Sequence, residues 1–267
     1  DTVPNIEVRI GAILSLERIA QDSTTYDHGR DHVRVMEILC AYIRENAPAS
    51  GAKDHGFGEL QPLPDDASDE ERATHREKWH ERSADSIFGG SKVREWAQTL
   101  SPPRQDIALA LRVIGRRDAK QRTVEARWGP DAAEDAEWVF DRPCPDLPEP
   151  PDNAPHPPGA VDSFKTKMND WKEHLATYRG YRPDLRGTNL QRADLSGLVL
   201  SGALIDGARL EGTVLFEARL KGAVLRKARL EGAVLTGARL EGAHLSMARL
   251  EGALLDVARL EAAHLFM

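Results

Sequence analysis

"ARLEGAVLTGARLEGAHLSMARLEGA", residues 228–253, returns a leucine at every fifth position. The period runs from Leu185 to Leu265 over seventeen centres, each of them Leu except Ile205. Five residues advance an α-helix by about 500°, roughly 140° net, so the leucines would spiral around the axis and form no stripe. Along a flat strand an odd period sends successive leucines to opposite faces. A chain that turns a quarter circle per unit meets both objections, because every centre then points inward. Four units close a square coil of about twenty residues, stacked at the strand spacing of about 4.8 Å. Seventeen units make about four such coils.

The neighbours of each centre fit this geometry. Two residues before most centres stands a small side chain: Thr188, Ala193, Ala203, Ala208, Thr213, Ala218, and Ala in each unit from Ala223 to Ala263. These also point toward the axis, where bulk would overpack the interior. Glycine recurs from Gly197 through Gly252 and supplies the φ/ψ that some corners need.

The units "TNLQR", "ADLSG", "ARLEG" and "AHLSM" resemble the pentapeptide-repeat family, A(D/N)Lxx, in tandem over about 183–267. The resemblance implies a right-handed quadrilateral β-helix. The acidic or amide residue that the family often places before the central Leu survives in Asp184, Asn189 and Asp194, then gives way to Arg. Residues twenty apart share a side, so Arg209, Arg229 and Arg249 form one ladder and Arg219, Arg239 and Arg259 another. Glu follows two positions after each Arg except Arg219, which has Lys221. The bland reading is a charge-balanced solvated surface; the functional one is an Arg-lined docking face. A third side carries Val214, Val234 and Leu254 with Phe216 beside them, and the fourth carries Leu204, Val224, His244 and His264. Contiguous exposed apolar ladders mark interaction surfaces; the alternative is that Val merely suits a β position.

The sequence reaches Leu265, Phe266 and Met267 without a capping helix, and a solenoid exposes its core at an uncapped end. End-to-end dimers occur among the family's members, so this end is a candidate homodimer contact. Some members mimic B-DNA and protect gyrase. Arginine stands where such mimicry wants acid, which disfavours that role.

The N-terminal half of the chain reads as helices: "NIEVRIGAILSLERIAQDS", "DHVRVMEILCAYIRENAP", a polar helix opened by a Ser68–Glu71 capping box, residues 91–100, residues 103–115, and a last helix at about 160–178. That last helix is expected to cap the first coil. The stretch 118–160 is mixed and ends in a Pro-rich segment. The expected division is a helical domain at 1–117, an acidic, Pro-rich connector at 118–182, and the β-helix at 183–267, an α+β multidomain chain. The segments 3–47 and 104–117 resemble the helical domain of a bacterial subgroup of the family whose members often carry upstream transmembrane helices. This implies a cytoplasmic chain tethered to the inner membrane by a segment outside the sequence.

Composition narrows the function. The net charge is −7, unfavourable for nucleic acid. Residues 183–267 hold 11 Lys and Arg against 10 Asp and Glu; the rest holds 25 against 33, and all five Trp. No apolar run reaches membrane-spanning length. The chain opens at Asp1, which suggests a fragment or processed form, and its two cysteines fit a reducing compartment. His28 and His32 are four apart but lack a third ligand and read as a solvated helix start. "GGSK" at 89–92 lacks the first glycine of a phosphate loop and reads as a loop with Ser91 as helix cap. Cys40 reads as core packing. No nucleophile motif appears. The sequence therefore points to a non-enzymatic scaffold or protein-interaction module with no cofactor and a protein partner. The alternatives are a ligand-binding or catalytic site in the helical domain, or a DNA-mimic inhibitor.

Overall fold

A computed structural model describes residues 5–55, 63, 64, 66–87, 90–147, 149, 150 and 154–265. Among the described residues seven α-helices precede the repeats: α1 (Ile6–Tyr26), α2 (His32–Asn46), α3 (Asp69–Ile87), α4 (Ser91–Thr99), α5 (Gln105–Gly115), α6 (Ala119–Ala126) and α7 (Ala160–Thr177). The side chain of Asn5 caps α1 by accepting from the Glu7 and Val8 N–H groups. Ser68 and Glu71 make the expected capping box before α3: the Ser68 N–H donates to Glu71 at 2.8 Å and the Glu71 N–H to the Ser68 hydroxyl at 3.2 Å. Ser91 is not the cap of α4. Gly90 holds that position, and Asp85 accepts from the Lys92 N–H at 2.9 Å. Helix α6 lies in the stretch that reads as mixed. Its capping box, Asp118 with Gln121, is a short polar signal without an apolar run behind it.

From Asp184 to His264 the chain is a β-helix solenoid. Parallel bridges join residues twenty apart at every fifth position, from Asp184–Leu204 to His244–His264. The Leu210 N–H donates to the Arg229 carbonyl at 2.7 Å, and the Arg229 N–H to the Ala208 carbonyl at 2.9 Å. The centres from Leu185 to Leu245, Ile205 among them, are buried, and so are the Ala and Thr residues two before them, so both inward positions line the axis. Each unit ends in a turn closed by a bond such as Ala233 N–H to Leu230 O, 3.0 Å. The third residue of that turn has positive φ throughout: 66° at Gly232, but also 57° at Arg192 and Lys227 and 60° at Met247. A left-handed residue is thus a demand of every corner, and glycine relieves it only where it occurs.

The helices close the first turn of the solenoid by an exchange of unpaired groups. Asn189 and Val199 have no preceding turn to accept their N–H groups. The Ala47 carbonyl at the end of α2 accepts from Asn189 at 2.7 Å, and the Gly115 carbonyl at the end of α5 accepts from Val199 at 2.8 Å. Helix C-termini carry surplus carbonyls, so both deficits vanish together. Helix α7 therefore does not cap the first coil. It lies along the flank, with Trp171 and Leu175 against Gly242, where an added Cβ would stand 2.7 Å from the Leu175 side chain.

One apolar cluster runs from Ile13, Met36, Leu39, Cys40 and Ile43 through Ile107, Leu111 and Ile114 into the repeat leucines. Beside it a fully buried polar group ties α2 to α6. His32 Nε2 lies 2.9 Å from Glu125, and Arg117 donates to Glu125 at 2.7 Å and to the Val199 carbonyl at 2.9 Å. His32 is completely buried and is no solvated helix start, whereas His28 is exposed.

The two inward positions differ in size for a reason that stability measurements check. Leu230→Ala, which empties the axis, will cost about 2–5 kcal/mol. Ala233→Leu, which crowds it, will cost about 1–3 kcal/mol. Urea unfolding of the two variants measures both.

Candidate functional site

Arg209, Arg229 and Arg249 are bridged in register, as are Arg219, Arg239 and Arg259. Neither ladder is a free cationic face. Arg229 pairs with Glu231 of its own unit at 3.2 Å and with Glu211 of the turn before at 3.1 Å; Arg249 then reaches Glu231 at 3.0 Å. The side chains of Glu211 and Glu231 are almost wholly buried. On the other ladder Glu241, equally buried, receives Arg239 at 3.1 Å and Arg259 at 3.4 Å. Arginine and glutamate thus alternate along the first ladder, whereas on the second Lys221 stands where a glutamate would follow Arg219.

Residues outside the repeats complete this arrangement. Asp54, from the chain after α2, bridges Arg209 at 2.8 Å and Arg229 at 2.6 Å. Asp146 reaches Arg259 at 3.4 Å. Burial by itself would raise the Asp54 carboxyl, but the two guanidiniums outweigh it and hold the group below the usual carboxylate range. For Glu211 the balance goes the other way: burial pushes it up despite Arg209. Arg219 is the exposed rung of its ladder. No local pattern in the sequence marks Asp54 or Asp146, because their partners lie more than a hundred residues away.

The helical region clasps the rod on two opposite corners. At one, α4 packs Ala97 against Gly212 and Gly232, and Gly90 meets Gly252. At the other, Phe140 packs against Gly202 and Gly222, and α7 against Gly242. Between these corners Val214, Val234 and Leu254 are bridged into one ladder. Phe216, at the next corner, is 45% exposed, Leu254 is 37% and Val257 is 82%. These residues form an apolar strip with solvent-exposed edges. On the opposite side Val224, His244 and His264 face α7 across a groove of about 470 Å³. The two imidazoles stack with centroids 4.5 Å apart and planes 3° from parallel.

At the far end the packing loosens. Leu250, Leu255 and Leu260 are half-buried and Leu265 is 50% exposed. Phe266 and Met267 lie outside the described residues. No group of three or more His, Cys, Asp or Glu among the described residues is placed to hold a metal. No described helix is long and apolar enough to cross a membrane.

Residues 184–222 and 218–256 match the family model for pentapeptide repeats, in eight copies. This segment of the chain is a run of pentapeptide repeats preceded by a helical region. Among solved structures the chain is similar to Rfr23, a pentapeptide repeat protein from the cyanobacterium Cyanothece 51142. Identity is 40% over 31% of this chain and 56% of that one, with a TM-score of 0.31. A pentapeptide repeat protein from the Arabidopsis thaliana thylakoid lumen is 31% identical over 30% of this chain and 59% of that one, with a TM-score of 0.21. QnrB1, a plasmid-mediated fluoroquinolone resistance protein, is 17% identical over 31% and 62%, with a TM-score of 0.14. The matched segment spans little more than half of these structures. No curated protein sequence matches the chain.

The ionic ladder makes a prediction separable from that of a solvated surface. Arg229→Ala removes a cation shared by three carboxylates and will cost about 3 kcal/mol. Arg239→Ala will cost less, since Arg259 still reaches Glu241. Asp54 has a depressed folded-state pKa, so its contribution is present at neutral pH and lost in acid. Asp54→Asn will be less stable than the native chain at neutral pH, and the difference will close as the pH falls below about 4. Urea unfolding across that range checks both signs.

Proposed function

We propose that this chain is a non-enzymatic protein-interaction module whose solenoid presents the strip of Val214, Phe216, Val234 and Leu254 to a protein partner. The observation that carries the reading is the exposed apolar side chains on this side of the rod. The helical region packs along two corners and the first turn, while the strip keeps Phe216 at 45% and Leu254 at 37% exposed beside the half-buried Val214 and Val234. Contiguous apolar surface of this kind is costly to expose and marks docking sites. In this reading the arginine ladders are chiefly internal struts, with Arg219 the rung available at the edge of the strip. Ladders of arginine give no acidic face with which to imitate nucleic acid.

The frame behind the strip is taken as a right-handed, four-sided coil of about four turns. Bridges twenty apart repeated at five-residue steps support the four sides; the handedness rests on the family resemblance. The functional division follows the helical domain at 1–117, the connector at 118–182 and the solenoid at 183–267. The half-exposed leucines up to Leu265, with Phe266 and Met267 following them in the sequence, are assigned to pairing with a second copy. A bacterial cytoplasm, with any membrane tether supplied outside this sequence, is the setting the resemblance suggests.

Affinity capture by the full chain tests the strip. A protein held by the native chain will be lost with Val234→Glu and kept with Lys227→Glu, a change on the opposite free corner. Retention by Val234→Glu sinks the assignment. The end contact is tested separately by sedimentation equilibrium. A dimer that Leu265→Glu dissociates is the expected result, and a monomeric native chain refutes it.

A further inference from the structure

The groove between α7 and the solenoid has a composition unlike the strip on the other side. Its walls are apolar at Leu175 and Val224, and its charged groups are Lys172, Glu173 and Arg182. Arg182 is fixed from behind: its Nε–H donates to the Gly202 carbonyl and its Nη2 to the Gly222 carbonyl at 2.9 Å. Its charge forms no ion pair among the described residues, nor does that of Lys172. On the adjacent corner Arg226 and Asp206 neutralise each other at 2.6 Å. Positive charge therefore exceeds negative around the groove. The stacked His244 and His264 line its far side, and the His244 ring is exposed there.

We propose that this groove binds a small organic anion, its oxyanion head between Lys172, Arg182 and the histidines and its apolar body against Leu175 and Val224. The volume of about 470 Å³ suits such a molecule. A mostly apolar cleft with unpaired cationic groups at its rim suits a molecule with one anionic and one apolar end. The glycine corner is integral to the design. A Cβ at Gly222 would stand 2.6 Å from the Phe140 ring and one at Gly242 2.7 Å from the Leu175 side chain, so these side chains would have to shift beside the groove.

The site carries its own reporter. Partial desolvation of the exposed His244 ring, the neighbouring His264, and the charges of Arg182 and Arg226 together hold its imidazole below the ordinary histidine range, with Asp206 opposing them. An anion placed beside it favours the imidazolium and raises that value. By linkage the anion then binds more tightly as the pH falls.

The test uses anilinonaphthalene sulfonate as probe on the full chain, followed by fluorescence at about pH 7 and about pH 6. Its uncharged counterpart, phenylnaphthylamine, is run beside it. Lys172→Glu reverses a charge on the exposed face of α7, and Val224→Trp fills the groove from an outward position. The expected result is binding that tightens toward the lower pH and weakens about tenfold in each variant and with the uncharged probe. Saturation will also move the His244 titration upward by NMR. Unchanged affinity in both variants, equal affinity for the two probes, or an unmoved His244 overturns the assignment. Should Val224→Trp melt early by circular dichroism, Lys172→Glu and the uncharged probe still decide it.

Discussion

Everything in this molecule depends on two inward residues per five, a leucine and a small residue two before it, stacked on their counterparts twenty residues away. The large residue fills the axis and the small one leaves room for it, at the close packing that protein interiors require. Backbone bonds between successive turns hold that stack in register, Leu230 N–H to Arg249 O at 2.7 Å being one of them. A shift of one residue would bring charged positions such as Arg229 inward. The register is therefore fixed by the cost of burying charge as much as by the gain from burying leucine.

The same stacking explains why arginine succeeds where the family usually has Asp or Asn. A column of like charges at strand spacing is repulsive. Placing glutamate two residues later puts a carboxylate at the corner of each turn, within reach of its own arginine and of the one above. Glu211 thus serves Arg209 and Arg229, and Glu231 serves Arg229 and Arg249. The helical region then covers that corner and lowers the local dielectric, which strengthens each pair and raises the penalty for losing one. Charge that in sequence reads either as a solvated surface or as a docking face is, in the fold, paired along the rod between successive turns.

How much of this was legible beforehand follows from how far apart the partners lie. The period of five, the inward leucines, Cys40 as core and most helices were readable because each is a local pattern. Helix α6 was hidden because Asp118 and Gln121 announce a start but the helix is short and polar. The roles of Asp54, Asp146, Arg117 and Glu125 rest on pairings across many tens of residues, and nothing periodic marks them. His32 shows the limit most clearly. Its spacing from His28 suggests a shared helix face, yet His28 adopts φ 60° before α2 begins, and His32 turns into the core to meet Glu125.

The clasp by the helical region also decides which surfaces the rod can offer. A bare four-sided solenoid has four equivalent corners, and nothing in its repeat distinguishes them. Packing α4 along one corner, and Phe140 with α7 along the corner opposite, breaks that equivalence. The side between them that carries Val214 and Val234 keeps a half-buried apolar ladder beside the exposed Phe216 and Leu254, whereas the side that carries Val224 and His244 becomes one wall of a cleft whose other wall is α7. Flat surface suits a macromolecule and a cleft suits a small molecule. The glycines at Gly212, Gly232, Gly222 and Gly242 make the distinction possible, since only without a Cβ do the helices approach closely enough to cover one side of each corner and leave the next exposed.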